Sequence, residues 1–273
     1  MNNAKPIGVF DSGVGGLTVV KEMLNTVPDE PIIYFGDTAR VPYGTKSARV
    51  VREFAIQDAK ILLNHDVKMI VVACHTATSM AMELLIETFD LPIVGVVEPG
   101  IRAALQSTKT GRVGVIGTRS TISSGTYPKL LQKADPGIKV FPRACPLFVP
   151  LAEEGWLNHE VTRQVAHIYL DQFKSRQIDT LILGCTHYPL LKPLLNEVLG
   201  PSITLIDSAA ETAKAVHAML ETHALRIEDH PNPMHRYFVS DIPDQFRQIG
   251  ERFLGRELES LAQVDIDSII HAE

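Results

Sequence analysis

An α/β fold of two similar open-sheet lobes, facing each other across one cleft, is what this sequence predicts. Short apolar, β-branched runs alternate with longer helical patterns along most of the chain, the signature of parallel strands joined by crossover helices. The runs recur in the same order at a roughly constant offset, as an internal duplication would leave them. Polar and glycine-rich motifs follow the carboxyl ends of those runs, which is where open α/β sheets bind ligands.

The first series of strands is expected at Ile7 to Phe10, Ile32 to Phe35, Met69 to Ala73 and Ile93 to Val96. Its counterparts are Val113 to Ile116, Ile138 to Phe141, Leu181 to Gly184 and Thr204 to Ile206. The local chemistry repeats too. Ile-Gly-Val-Phe-Asp11-Ser12-Gly13 answers to Val-Gly-Val-Ile-Gly117-Thr118-Arg119, and Cys74-His75-Thr76 answers to Cys185-Thr186-His187. A boundary near Pro99 gives a first lobe over residues 1–98 and a second over 99–208. The segment from about 209 to 273 is expected to complete the first lobe, with a helix over Ala209 to His223 crossing back to it. A loop at His230-Pro-Asn-Pro-Met234 follows, then a short strand from Tyr237 and an amphipathic helix over Pro243 to Leu254.

With a formal charge of -6 and no basic cluster interleaved with aromatics, a nucleic-acid surface is excluded and a small polar ligand is favoured. No apolar stretch reaches membrane-spanning length, and Met1-Asn-Asn-Ala-Lys-Pro6 carries no signal-peptide core, so a cytoplasmic protein without membrane contact is expected. Three widely spaced cysteines without a Cys-x-x-Cys argue for free thiols rather than disulfides or zinc. With no His-Glu-x-x-His or His/Asp cluster, no metal site is expected.

Cys74 and Cys185 each close an apolar run and open a small polar turn. At such a strand-to-helix corner the helix amino terminus is expected to depress the thiol pKa. Two thiols on opposite sides of one cleft can act as base and acid on the two faces of a single carbon. Either cysteine alone reads first as a small buried hydrophobe, and it is the matched pair that points to chemistry. Cys145 has no twin and is taken as structural.

Asp11-Ser-Gly-Val-Gly-Gly16 is not a dinucleotide loop, because Thr18 stands at the third glycine position and no Gly-Lys-[Ser/Thr] follows. It reads as a carboxylate-binding turn with Asp11 as adjacent base, beside the plainer alternative of a tight turn with Asp11 capping a helix. His187, two residues past Cys185, is placed to exchange protons with that thiol or simply to hydrogen-bond locally. Glu153 and Glu154 alone read as a solvated helix end.

Taken together, Phe10-Asp-Ser-Gly-Val-Gly-Gly-Leu-Thr18, Asp37-Thr-Ala-Arg-Val-Pro-Tyr-Gly44, Cys74-x-Thr76-Ala77, Gly117-Thr118, Pro150-Leu-Ala-Glu-Glu-Gly155 and Gly184-Cys-Thr-His-Tyr-Pro189 resemble bacterial glutamate racemases over nearly the whole chain. Cys-Thr-His-Tyr is the sharpest discriminator, since aspartate racemases of the same superfamily typically carry Cys-Thr-Glu.

The resemblance implies interconversion of L- and D-glutamate for peptidoglycan synthesis, without pyridoxal phosphate, metal or any other cofactor, in a homodimer. It implies that Cys74 serves the D-enantiomer and Cys185 the L-enantiomer, with Asp11 and His187 assisting their thiols and Glu153 beside His187. Asp11, Ser12, Tyr43, Gly44, Thr76, Thr118, Thr121, Thr186 and His187 would then hold the substrate. His75 departs from the pattern, since these racemases usually carry Asn after the first cysteine. As a substrate contact it is expected to work when neutral and to impose an acid limb where histidine titrates, around a pKa of about 6.5. The long amino-terminal extension of members that respond to a peptidoglycan precursor is missing, so that regulation is not expected. Two other readings stand beside this one: a related racemase for another acidic amino acid, and a non-catalytic binding protein of the gyrase-inhibitor kind.

Overall fold

The structure is a computed structural model and describes residues 4–227 and 232–266. The first three residues, the start of the loop expected at His230, and residues 267–273 lie outside that range.

The first sheet begins with β1 (Ile7–Asp11), followed by helix α1 (Leu17–Thr26), β2 (Ile32–Gly36), α2 (Ala48–Leu63), β3 (Met69–Val72), α3 (His75–Thr88) and β4 (Ile93–Gly95). Helix α4 (Val97–Ser107) leads to the second sheet. That sheet contains β5 (Arg112–Gly117), α5 (Arg119–Ser123), α6 (Thr126–Ala134), β6 (Lys139–Ala144), α7 (Phe148–Glu153), α8 (Glu160–Arg176), β7 (Thr180–Gly184), α9 (Lys192–Leu199) and β8 (Thr204–Asp207). The chain then runs through α10 (Ser208–Thr222), β9 (Arg236–Val239), α11 (Pro243–Leu254) and β10 (Leu261–Gln263).

All strand pairs among the described residues are parallel, in the orders β10-β9-β2-β1-β3-β4 and β6-β5-β7-β8. The order β2-β1-β3-β4 therefore recurs as β6-β5-β7-β8. In each sheet the first strand has neighbours reached in opposite directions, so the crevice at the carboxyl ends of β1 and β3, and of β5 and β7, is where a ligand fits. The runs are continuous in valine and isoleucine because both faces are covered. Val9 and Val71 pack beneath α1 and α10, and Phe10 and Val72 beneath α2 and α3. In the second sheet Val113, Val115 and Ile182 meet Val97, Ile101 and Ala104 of α4.

Pro99 lies in the first turn of α4, where a missing N–H is tolerated, so a helix rather than a linker occupies the expected boundary. Helix α10 starts at the carboxyl end of β8, capped by Asp207, whose Oδ1 accepts from Ala209 N at 3.0 Å. Its apolar face, Ala213, Val216 and Leu220, joins the core of the first sheet.

Two strand expectations need correction. β6 ends at Ala144, beyond the expected Phe141, and contains Pro142; it is an edge strand, which needs hydrogen bonds on one side only. The second carboxyl-terminal strand, β10, was not anticipated. It has three residues, two of them exposed, so it carries no apolar alternation to read.

Candidate active site

Both motif cysteines sit just beyond the carboxyl ends of central strands: Cys74 after β3 as the residue before α3, and Cys185 directly after β7. They line one cavity of ≈ 330 Å³, each almost fully buried. From the first sheet the wall receives Ser12 after β1, Tyr43 and Gly44 from the loop after β2, and His75 and Thr76 from α3. From the second it receives Thr118 after β5, Glu153 of α7, and Thr186 and His187 after β7. Asp11 and Thr121 stand behind the wall rather than on it; they are 0% and 1% exposed.

Two glycines allow the halves to approach this closely. A Cβ on Gly15 would lie 2.2 Å from Thr186 Oγ1 and 2.5 Å from His187 Cε1. One on Gly44 would lie 2.6 Å from Thr118 Cβ. The glycine-rich turn is thus a seam against the second sheet's motif. Thr18 Oγ1 reinforces it, lying 2.9 Å from both Gly15 O and Thr186 O. Asp11 does not cap α1, whose first residue follows Gly16 without a side-chain cap. Instead its Oδ2 accepts from Gly13 N at 3.1 Å, and its Oδ1 is buried with no partner.

The two thiols have opposite electrostatic surroundings. Cys74 donates to Ser12 Oγ at 3.5 Å. Burial, and then the Asp11 carboxylate, push its thiol up to about 12. This corrects the expectation of a depressed thiol pKa here: desolvation outweighs the amino terminus of α3. Burial raises Asp11 as well, against the lowering field of His187.

On the other side, Cys185 Sγ is 3.8 Å from His187 Nδ1, and His187 Nε2 is 2.8 Å from Glu153 Oε1. Burial opposes a charge on His187, but its hydrogen bonds to Cys185 and Glu153 outweigh it and raise the imidazole to about 10. A charged His187 places a cation 3.8 Å from the Cys185 sulfur. Its ring packs edge-on against Phe253 of α11 at 5.1 Å, and Arg252 of the same helix donates to Glu153 O at 2.9 Å. The helix near the carboxyl terminus therefore braces this acid–base pair.

Three hydroxyls close the far side. Thr76, Thr118 and Thr121 form a triangle with Oγ1 separations of 3.0, 3.0 and 2.9 Å, joining α3 to α5. His75, beside them, is 4% exposed, and neither ring nitrogen has a partner. Burial lowers it to about 3, which corrects the expected acid limb: the imidazole is neutral through the range where an ordinary histidine titrates.

The sequence reading missed the apolar side of the wall, Val41, Pro42, Val149 and Pro150, and an exposed cation, Arg119. The Thr118-Arg119 step at the carboxyl end of β5 was the available signal for the last. No group of three metal-ligating side chains converges among the described residues. No helix among them is long and apolar enough to cross a membrane.

A family model described as Asp/Glu/Hydantoin racemase matches residues 7–216. The chain is 50% identical over 264 residues to a glutamate racemase of Geobacter metallireducens, covering 97% of this chain and 98% of that one. Among solved structures it is similar to the Francisella tularensis glutamate racemase in complex with D-glutamate, with a TM-score of 0.92 and 41% identity over 97% of this chain and 99% of that one. The Thermus thermophilus glutamate racemase in complex with β-chloro-D-alanine superposes with a TM-score of 0.87 and 44% identity, over 98% and 99% of the two chains.

Proposed function

The chain belongs to the Asp/Glu/hydantoin racemase family and is an isomerase, and from that premise we propose that it interconverts L- and D-glutamate with Cys74 and Cys185 as its two proton-transfer groups. The observation that carries this reading is the placement of two sulfurs from matched strand ends on one cavity wall, with opposite surroundings.

With L-glutamate bound, the Cys185 thiolate removes the α-proton while the His187 imidazolium, itself held by Glu153, keeps the thiolate in place. Cys74, kept as a thiol by burial and Asp11, delivers its proton to the opposite face of the carbanion. One C–H bond breaks, another forms, and the charge passes from Cys185 to Cys74. The D-enantiomer runs the sequence backwards, with Ser12 in contact with Cys74 and Asp11 as the charged group acting on it. The α-proton of an amino acid is a very weak acid, so the carbanion needs fixed donors in a water-poor site. Ser12, Thr76, Thr118 and Thr186 supply hydroxyls, with Thr121 holding Thr76 and Thr118 from behind. His75 offers a neutral imidazole with one donor and one acceptor, both unused without substrate. Arg119, exposed at the rim, favours the entry of an acidic substrate.

The matching strand orders support an internal duplication, with residues 1–98 and the carboxyl-terminal segment forming one lobe and 99–208 the other. The reaction needs no cofactor in this reading. It supplies D-glutamate for peptidoglycan synthesis in the cytoplasm, and the working unit is a homodimer. The direct test is optical rotation with L-glutamate, D-glutamate and then aspartate, before and after dialysis against chelator and hydroxylamine. Both glutamate enantiomers should approach the same racemic end point in every sample. Turnover of aspartate alone, or loss of activity under hydroxylamine, contradicts the reading.

A further inference from the structure

Behind the loop that carries Tyr43 and Gly44 lies a buried polar cluster outside the cavity wall. Asp37 ends β2's motif and Asp58 projects from α2; both are fully buried. Arg40 lies between them, donating from Nε to Asp37 Oδ2 at 2.7 Å and from Nη2 to Asp58 Oδ1 at 2.9 Å. Its guanidinium also donates to Gln57 Oε1 and stacks on the Phe54 ring at 4.1 Å. Ser240, at the end of β9, donates to Asp37 Oδ1 at 3.1 Å and accepts from Ala39 N at 2.8 Å. The hydroxyl of Tyr43 contacts both carboxyl groups, Asp37 Oδ2 and, at 2.9 Å, Asp58 Oδ2.

The hydrogens decide the charge state. A phenol has one proton to give, so it cannot donate to two carboxylates at once. If both aspartates were ionised, one of the Tyr43 contacts would set lone pair against lone pair in a fully buried site. Asp37 accepts from Arg40 through Oδ2 and from Ser240 through Oδ1, so neither of its oxygens is placed to donate. Asp58 therefore supplies the missing proton, donating from Oδ2 to the Tyr43 oxygen while its Oδ1 accepts from Arg40. Tyr43 then donates onward to Asp37. One guanidinium, one carboxylate and one neutral acid leave the buried cluster uncharged, which avoids the cost of an unpaired buried charge.

We infer that Asp58 is a positioning residue for the substrate loop, acting as a protonated acid that fixes Tyr43 and, through it, the wall formed by Val41 to Thr45. This rests on the reading that the cavity binds an amino acid. Burial, and then the Asp37 charge, hold the Asp58 carboxyl well above the usual carboxylate range, in keeping with the hydrogen count. The charged groups facing Asp58 are Asp37 and Arg40 in contact, Asp11 through its field, Glu53 and Asp265 on the groove outside Arg40, and Lys46, whose Nζ lies 5.9 Å from the Phe54 ring on which Arg40 stacks. Arg40 is the cation whose charge acts on Asp58, and it is shared with Asp37.

The test pairs a spectroscopic readout on ligand-free protein with a kinetic one. The infrared difference spectrum between wild type and Asp58→Asn at neutral pH should contain a protonated-carboxyl C=O band that shifts in heavy water. Asn presents the same donor and acceptor as the protonated acid, so Asp58→Asn should keep KM for glutamate within about twofold of wild type. Asp58→Leu, which leaves Arg40 and Tyr43 without that partner, should raise KM about tenfold with a smaller change in kcat, tenfold corresponding to about 1.4 kcal/mol of binding. A missing carboxyl band, a KM in Asp58→Asn raised as far as tenfold, or an unchanged KM in Asp58→Leu overturns the inference. Should Asp58→Leu not fold, the band and the Asn variant still decide. Should wild type not turn over glutamate, the racemase reading fails separately, because the band needs no substrate.

Discussion

At the scale of single residues, the site is a pair of thiols made unequal by their neighbours. Cys74→Ala and Cys185→Ala should each lower racemisation by at least about 10²–10⁴-fold, the usual worth of a positioned acid or base. Cys145→Ala should leave it nearly intact, because Cys145 is buried beyond the cavity wall. A chiral assay of the three variants checks this; surviving turnover in either of the first two removes the two-thiol mechanism.

His75 gives a second prediction, concerning stability. Its imidazole binds no proton in the folded protein until pH falls to about 3, whereas in the unfolded chain it titrates near 6.5. The unfolded state therefore takes up more protons across that window, and stability falls as pH drops from about 6.5 toward 3, by an amount on the order of a few kcal/mol. His75→Asn should flatten that part of the unfolding profile and leave the acid side of kcat/KM unchanged. An acid limb near neutrality that disappears in the variant would mean that His75 titrates after all. The opposite sign holds for His187. Raised to about 10, it contributes stability that is complete below about 6.5 and is lost as pH rises through about 10.

Among structural elements, the strand-to-helix corners were the most legible part of the sequence. Cys74, Cys185, Asp11 and Thr118 each terminate a short apolar run, so local pattern alone places them at the carboxyl edge of a sheet. What the same pattern did not carry was their environment. Cys74 was expected to have a depressed pKa from its helix terminus, but the burial that reverses this comes from tertiary packing. The Asp37–Arg40–Asp58 cluster was invisible for a related reason: α2 and the β2 loop meet only in the folded chain. The role of Gly15 is likewise a property of the seam. Gly15→Ala must push Thr186 or His187 aside, since its Cβ would sit 2.2 Å from a hydroxyl. Displacing these groups by even about 1 Å should cost on the order of 100-fold in kcat/KM while circular dichroism still reports a folded protein. Full activity in that variant would show that the seam moves without consequence.

For the whole molecule, two parallel sheets that share a four-strand order turn their carboxyl edges toward one cavity. Helix α10 ties them together, starting at the end of β8 and burying Ala213, Val216 and Leu220 in the first sheet's core. Leu220→Ala should therefore cost about 2–5 kcal/mol in denaturant unfolding, with activity retained where the protein remains folded. A loss below about 1 kcal/mol would show that α10 does not secure the first sheet. The alternation of strands and helices in the sequence predicted both sheets, whereas the short, exposed β10 escaped it.

The central claim is that two thiols work on opposite faces of one carbon, and proton NMR of the reaction in heavy water tests it most directly. Starting from L-glutamate, a two-thiol mechanism predicts that the first D-glutamate formed carries deuterium at the α-carbon, while unreacted L-glutamate keeps its protium. D-glutamate that retains the original α-proton would mean that a single group both removes and returns it, and would contradict the assignment of Cys74 and Cys185 as opposing acid and base.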